Sequence, residues 1–170
     1  MNPTSAAILG LLRQSGPLNA NALAETAKVR IGGYWTVTRS QVYRELAALE
    51  KRGLVEFGPR GPRNSRACSI TELGADAFLA WLDSGPIDDV VRFPLLLTVR
   101  FAADLPPGRF DEIIEEFAAM HAQTLAMYRS IENAIIDGPH DIYDLATLRF
   151  GIHFEMAIEQ WLGELGDLLE

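Results

Sequence analysis

One cysteine, Cys68, stands among the 170 residues. That excludes an internal disulfide and suits a reducing compartment. No run of eighteen uncharged apolar residues occurs, so no membrane-spanning helix and no membrane partner are expected. The opening MNPTSAAILGLLRQSGPLNA lacks a basic start and has the spacing of an amphipathic helix. A secretory signal is therefore not expected, and a cytoplasmic location is. A phosphate loop, a G-x-S-x-G turn and a Rossmann glycine fingerprint are all missing. His121, His140 and His153 with Cys68 show none of the short spacings of a zinc or nickel site. Glu115-Glu116 and Asp88-Asp89 read as solvated charges and not as an acid–base pair. Neither enzymatic activity nor a metal or other cofactor is expected.

Positive charge is scarce overall but concentrated. The chain carries a net charge of −8, yet seven of its fifteen Lys and Arg residues fall between positions 35 and 67. Residues 1–83 sum to +3 and residues 84–170 to −11. Such asymmetry points the first half at a polyanion and gives the second another task. The break falls near Asp83-Ser84-Gly85-Pro86, a linker-like composition. At 48% hydrophobic, the chain can bury one or two small cores, and the boundary suggests domains at 1–83 and 84–170.

The first half predicts three helices, a hairpin and a fourth helix. Asn2-Pro3-Thr4 starts a helix that stops at Gly16-Pro17, and Asn19 is an N-cap for the next. Gly32-Gly33 then breaks the chain. Thr38-Arg39-Ser40-Gln41 has the pattern of a capping box, with Val37 and Val42 at the staple positions. Val42, Leu46 and Leu49 form the core stripe of this third helix, and Gly53 ends it. Leu54–Phe57 and Arg66–Ile70 read as strands around a basic tip, Gly58 to Ser65. Thr71-Glu72 suits the start of a fourth helix reaching Trp81. Trp35 is expected to pack at the foot of the third helix.

The expected fold is mainly α with a small β-hairpin: a winged helix-turn-helix followed by a helical domain. A helix enters the major groove with its N-terminal turns, where Thr38, Arg39, Ser40, Gln41, Tyr43 and Arg44 stand. Arginine reads guanine with two hydrogen bonds; Gln41 ranks below Arg39 and Arg44 because its cap occupies it. Arg60, Arg63 and Arg66 on the wing would meet phosphates or the minor groove and supply affinity rather than sequence information. The expected partner is double-stranded DNA.

These residues resemble the PadR family of transcriptional regulators. The resemblance rests on TRSQVYRELAALEKRGLV, on SITELGADAFLAWL leaving the wing, and on ATLRFGIHFEMAIEQWL near the end. The Trp-Thr-Val-Thr lead-in suggests the subgroup with a long C-terminal helical domain, similar to virulence-activator members. Two positions depart from the pattern: Cys68, where an aromatic residue is common, and Arg44-Glu45, in place of Pro-Thr or Pro-Glu. The resemblance implies a dimer formed through C-terminal helices, repression or sometimes activation of nearby genes, and a response to aromatic or other hydrophobic small molecules.

The second half predicts a short apolar run, Arg92–Phe101, a reset at Leu105-Pro106-Pro107-Gly108, and two long helices. The last helix is apolar on two sides: Leu145, Leu148, Ile152 and Met156 on one, and Phe150, Phe154, Ala157, Trp161 and Leu165 on the other. A helix apolar on two sides needs two partners, so the second face is expected to form a homodimer. Trp161 is a candidate for lining an effector pocket, and His121 for a hydrogen-bonded core histidine. A rival expectation is a protein-interaction module that keeps the winged-helix shape without specific DNA binding.

Overall fold

The computed structural model describes residues 1–61, 65–85, 92–136 and 141–169. The chain divides into two compact units, Met1–Asp88 and Asp89–Glu170. The first contains α1 (Pro3–Ser15), β1 (Leu18–Asn19), α2 (Ala20–Arg30), α3 (Arg39–Lys51), β2 (Val55–Arg60), β3 (Arg66–Ile70) and α4 (Glu72–Asp83). The second contains α5 (Pro94–Arg100), a short 3-10 turn, α6 (Arg109–Ile136) and α7 (Ile142–Leu169).

Caps set the helix starts of the first unit. The Asn2 side chain accepts from the Ser5 N–H at 2.7 Å and that of Asn19 from the Ala22 N–H at 2.9 Å. At α3, the Gln41 N–H donates to Thr38 Oγ1 at 3.2 Å while the Thr38 N–H donates to Gln41 Oε1 at 2.8 Å. That closes the reciprocal cap the sequence predicts. Gly53 ends the helix with φ at 69°, a backbone that favours glycine.

Ile8, Leu9 and Leu12 of α1, Leu23 of α2, and Val42, Leu46 and Leu49 of α3 are almost wholly buried in one core. The sheet order is β1-β3-β2, all antiparallel. Here the structure adds a strand: Leu18 and Asn19 pair with Cys68 and Ala67, so Asn19 is both a strand end and a helix cap. A two-residue strand has no alternation to read, which is why the pattern conceals it. The register of β2 on β3 shifts between Phe57 and Arg60, where Pro59 has no N–H to give.

The Thr-x-x-Gly motif after the wing has a mechanical reason. Thr71 Oγ1 donates to the Gly53 carbonyl at 2.8 Å and accepts from the Gly74 N–H at 3.0 Å. A Cβ on Gly74 would stand 2.0 Å from the Leu54 carbonyl oxygen, so α4 can approach the wing this closely only with glycine there.

In the second unit α6 packs along α7. Arg149 donates to Glu132 at 2.7 Å, and a Cβ on Gly151 would meet the Tyr128 ring at 3.0 Å. Both members of the Arg-x-Gly pair therefore serve the α6–α7 seam. The apolar run Arg92–Phe101, left without an assignment by the sequence, contains a seven-residue helix opened by Pro94. Phe93 stacks on Phe154 with ring centroids 5.7 Å apart.

Candidate nucleic-acid interface

The recognition surface begins with the division of α3 into faces. Val42, Leu46 and Leu49 are buried, so Arg39, Ser40, Tyr43 and Arg44 are left exposed on the outer side. Thr38 and Gln41 bond each other in the cap, which commits their side chains to holding the first turn. Arg39 Nη2 lies 3.8 Å from Glu25 Oε1 of α2, and the Tyr43 hydroxyl donates to Asn21 Oδ1 at 3.4 Å. The outer edge of α2 therefore borders the same face. Arg39 is exposed, so its pair with Glu25 is weak and yields to a stronger anion.

Glu45 ties α3 to α1, a structural link the sequence reading did not assign. It sits on α3 facing α1, with its side chain 12% exposed. Glu45 Oε2 accepts from Ser5 Oγ at 2.6 Å and from Asn2 Nδ2 at 3.1 Å. Arg44 Nε lies 3.9 Å from its other oxygen. The Ser5 bond above all, with Asn2 and Arg44, holds its carboxyl below the ordinary value despite desolvation. An i, i+4 helix pattern does not reveal such a pair, because its partners lie forty residues away in sequence.

The sequence predicts a phosphate contact for Arg66, and its exposed guanidinium also has partners within the hairpin. Nε donates to the Gly58 carbonyl at 3.1 Å, Nη2 to the Phe57 carbonyl at 3.2 Å, and the group lies 4.8 Å from the Phe57 ring centroid. The register shift beside Pro59 leaves those carbonyls to an arginine across the strand pair. Arg60 is exposed at the end of β2. Arg63 lies outside the described residues.

Beneath the wing, Cys68 is fully buried opposite Leu18 and Phe57, in the place where an aromatic side chain is common in the family it resembles. Burial first, and then Glu50 and Glu56, pushes its thiol up to about 11, while Arg66 pulls the other way. It behaves as a packing group.

In the second unit, Phe150 is 66% exposed; Phe154 and Trp161 are half-buried and Ala157 is exposed. Leu165, on the same stripe, is buried and lines a groove with Phe110, Ile114 and Leu162. Met156, expected to face α6, is 42% exposed. His121 Nδ1 pairs with the buried carboxylate of Glu155, which gives the core histidine its partner. Among the described residues no helix is long and apolar enough to cross a membrane, and no His, Cys, Asp and Glu side chains group to hold a metal ion.

A basic, capped helix beside a hairpin, followed by long helices, defines a winged helix-turn-helix protein with an α-helical C-terminal half. Residues 1–56 match a helix-turn-helix domain family, and residues 91–170 match the virulence activator alpha C-terminal family. The negative transcriptional regulator PadR of Bacillus subtilis (strain 168) is 27% identical over 114 residues, which cover 65% of this chain and 62% of PadR, less than two thirds of its length. The crystal structure of Bacillus subtilis PadR with operator DNA is similar at a TM-score of 0.82 and 21% identity, covering 99% of this chain and 100% of that one. PadR with p-coumaric acid gives 0.72 and 20%, covering 97% and 96%. The Vibrio cholerae virulence activator AphA gives 0.74 and 24%, covering 96% of each chain. The chain is thus similar to PadR and AphA in fold, and its two ends match the two family models separately.

Proposed function

We propose that this protein is a PadR-like transcriptional regulator that binds operator DNA sequence-specifically as a homodimer, with residues 1–83 as the DNA-binding domain and 84–170 as the dimerisation domain. The observation that carries the reading is the capped first turns of α3, which present Arg39, Ser40, Tyr43 and Arg44 outward from a buried Val42-Leu46-Leu49 stripe. Arg39 and Arg44 read base edges in the major groove. Thr38 and Gln41 hold the turn that carries them, and Arg60 and Arg63 of the wing meet phosphates. The solved complex of PadR with operator DNA supports the DNA partner.

Burial supports the dimer. Among the described residues, fifteen apolar residues are buried in the first unit and four, Leu95, Leu125, Ile152 and Leu165, in the second. Phe150, Leu96, Leu97 and Phe101 are each about half exposed or more. A second copy covering Phe150, Phe154, Ala157 and Trp161 supplies the missing core, and its two-fold symmetry fits an operator of two half-sites. The net −11 of the second half repels DNA, so the dimer offers it only the winged domains.

PadR's description as a negative regulator favours repression, and its complex with p-coumaric acid favours an aromatic or hydrophobic effector. Such a molecule, bound near Trp161 at the dimer interface, releases the operator by favouring a geometry with the wrong half-site spacing.

The test is binding to the DNA upstream of the protein's own gene and to a scrambled duplex across a salt series. Arg39→Ala should relax sequence preference. Arg63→Ala should weaken both duplexes alike and lower the salt slope by about one. Equal losses of specific and non-specific binding in both variants contradict this division of roles.

A further inference from the structure

The turn between α2 and α3 carries an aromatic patch with no role in the reading above. Tyr34 is 56% exposed, Trp35 is 37% exposed where the sequence predicts packing, and Val29 at the end of α2 is 83% exposed. The turn is fixed, because the N–H groups of Tyr34 and Trp35 both donate to the Ile31 carbonyl, at 3.1 and 2.7 Å. Basic residues surround it: Lys28 and Arg30 are exposed, Arg39 follows, and residues 28–39 contain no acidic side chain. Arg30 Nη1 donates to Gln14 Oε1 at 3.1 Å, which ties that charge to the end of α1.

Position decides the partner. Three steps along the chain take Trp35 to the Thr38 cap, a reach of at most about 11 Å. The major groove is about 12 Å wide. With the first turns of α3 inside the groove, the turn that precedes them stands over the strand at its edge. A phosphodiester strand offers only acceptors, whereas the indole N–H, the phenol O–H and the two cations are donors.

We propose that Tyr34 and Trp35 form a second, uncharged contact with DNA, donating to the phosphodiester strand beside the groove that α3 enters, with Lys28 and Arg30 supplying charge. This rests on the DNA-binding reading and extends the interface to residues that reading does not use.

An uncharged donor releases no counterion when it meets a phosphate, so its loss is the same at every salt concentration. Trp35→Phe and Tyr34→Phe keep the rings and remove the donors. In the salt series, each should weaken operator and scrambled DNA alike by about 3- to 10-fold, with the slope of log K on log salt unchanged. Lys28→Ala should instead lower that slope by about one. Unchanged melting temperatures separate these losses from unfolding. Wild-type DNA binding by both phenylalanine variants overturns the proposal. A loss confined to the operator also overturns it, since that marks base reading. Wild-type protein that binds neither duplex overturns the DNA reading itself; selective wild-type binding with unaffected phenylalanine variants overturns this extension alone.

Discussion

The Ser5 hydroxyl donates to Glu45 across 2.6 Å and so fastens the first turn of α1 to the middle of α3. Hydrogen bonds to charged groups contribute about 1.5–3 kcal/mol, so Ser5→Ala should destabilise the protein by that order at neutral pH. The folded carboxyl titrates below its ordinary 4.5, so its contribution is present above that value and lost as pH falls through the folded value. Denaturant unfolding of wild type and Ser5→Ala should therefore converge in acid. A gap that stays constant with pH would show that Ser5 acts only by packing.

Arg66 and Arg60 both belong to the wing strands but should fail differently when removed. Arg66→Ala deletes the bonds to the Phe57 and Gly58 carbonyls and the contact with the Phe57 ring, at a cost of about 1–2 kcal/mol of stability. Arg60→Ala should leave stability within about 0.5 kcal/mol and lower the salt slope of DNA binding by about one. Thermal unfolding and the salt series measure the two effects separately.

Gly74→Ala forces a Cβ against the Leu54 carbonyl oxygen, which belongs to the backbone and cannot swing aside. Overpacking of this kind costs about 1–3 kcal/mol. The same substitution at exposed Gly163, where a Cβ meets nothing within 4 Å, should be neutral or stabilising. Chemical denaturation of the two variants tests the contrast.

The buried thiol of Cys68 gives the fold an alkaline weakness. An unfolded chain ionises it from 9.0, the folded one only near 11. Above 9.0 the unfolded state therefore binds fewer protons, and stability falls as pH rises towards 11. Two units correspond to about 3 kcal/mol. Cys68→Ala should be less stable than wild type at pH 7 because of the cavity it leaves, and that disadvantage should shrink by about 2 kcal/mol at pH 11, where the folded thiol is itself half ionised. Unfolding curves at the two pH values supply the check.

The N-terminal half was legible because its signals are local. Asn2, Asn19, Thr38 and Thr71 each cap the helix that follows them in sequence, and the 3.6 period places Val42, Leu46 and Leu49 in the core. Contacts between distant segments left no such trace. Glu45 looks like any charged helix residue until α1 brings Asn2 and Ser5 to it, and nothing in the sequence announces the bonds of Arg66 to the Phe57 and Gly58 carbonyls. On α7, two apolar faces were visible, but which residues of each are buried, Leu165 and not Met156, depends on how α6 lies against it. Seven residues of α5 are too short a span for helical periodicity to stand out from an apolar run.

Selection of binding sites from a random duplex pool tests the central claim most directly. A dimer that reads DNA through Arg39 and Arg44 should enrich a two-fold symmetric site with half-site centres about 10 base pairs, or a multiple of that, apart. Arg39→Ala should blur one position in each half. A pool that stays unenriched while the protein remains folded and dimeric would contradict sequence-specific recognition by α3.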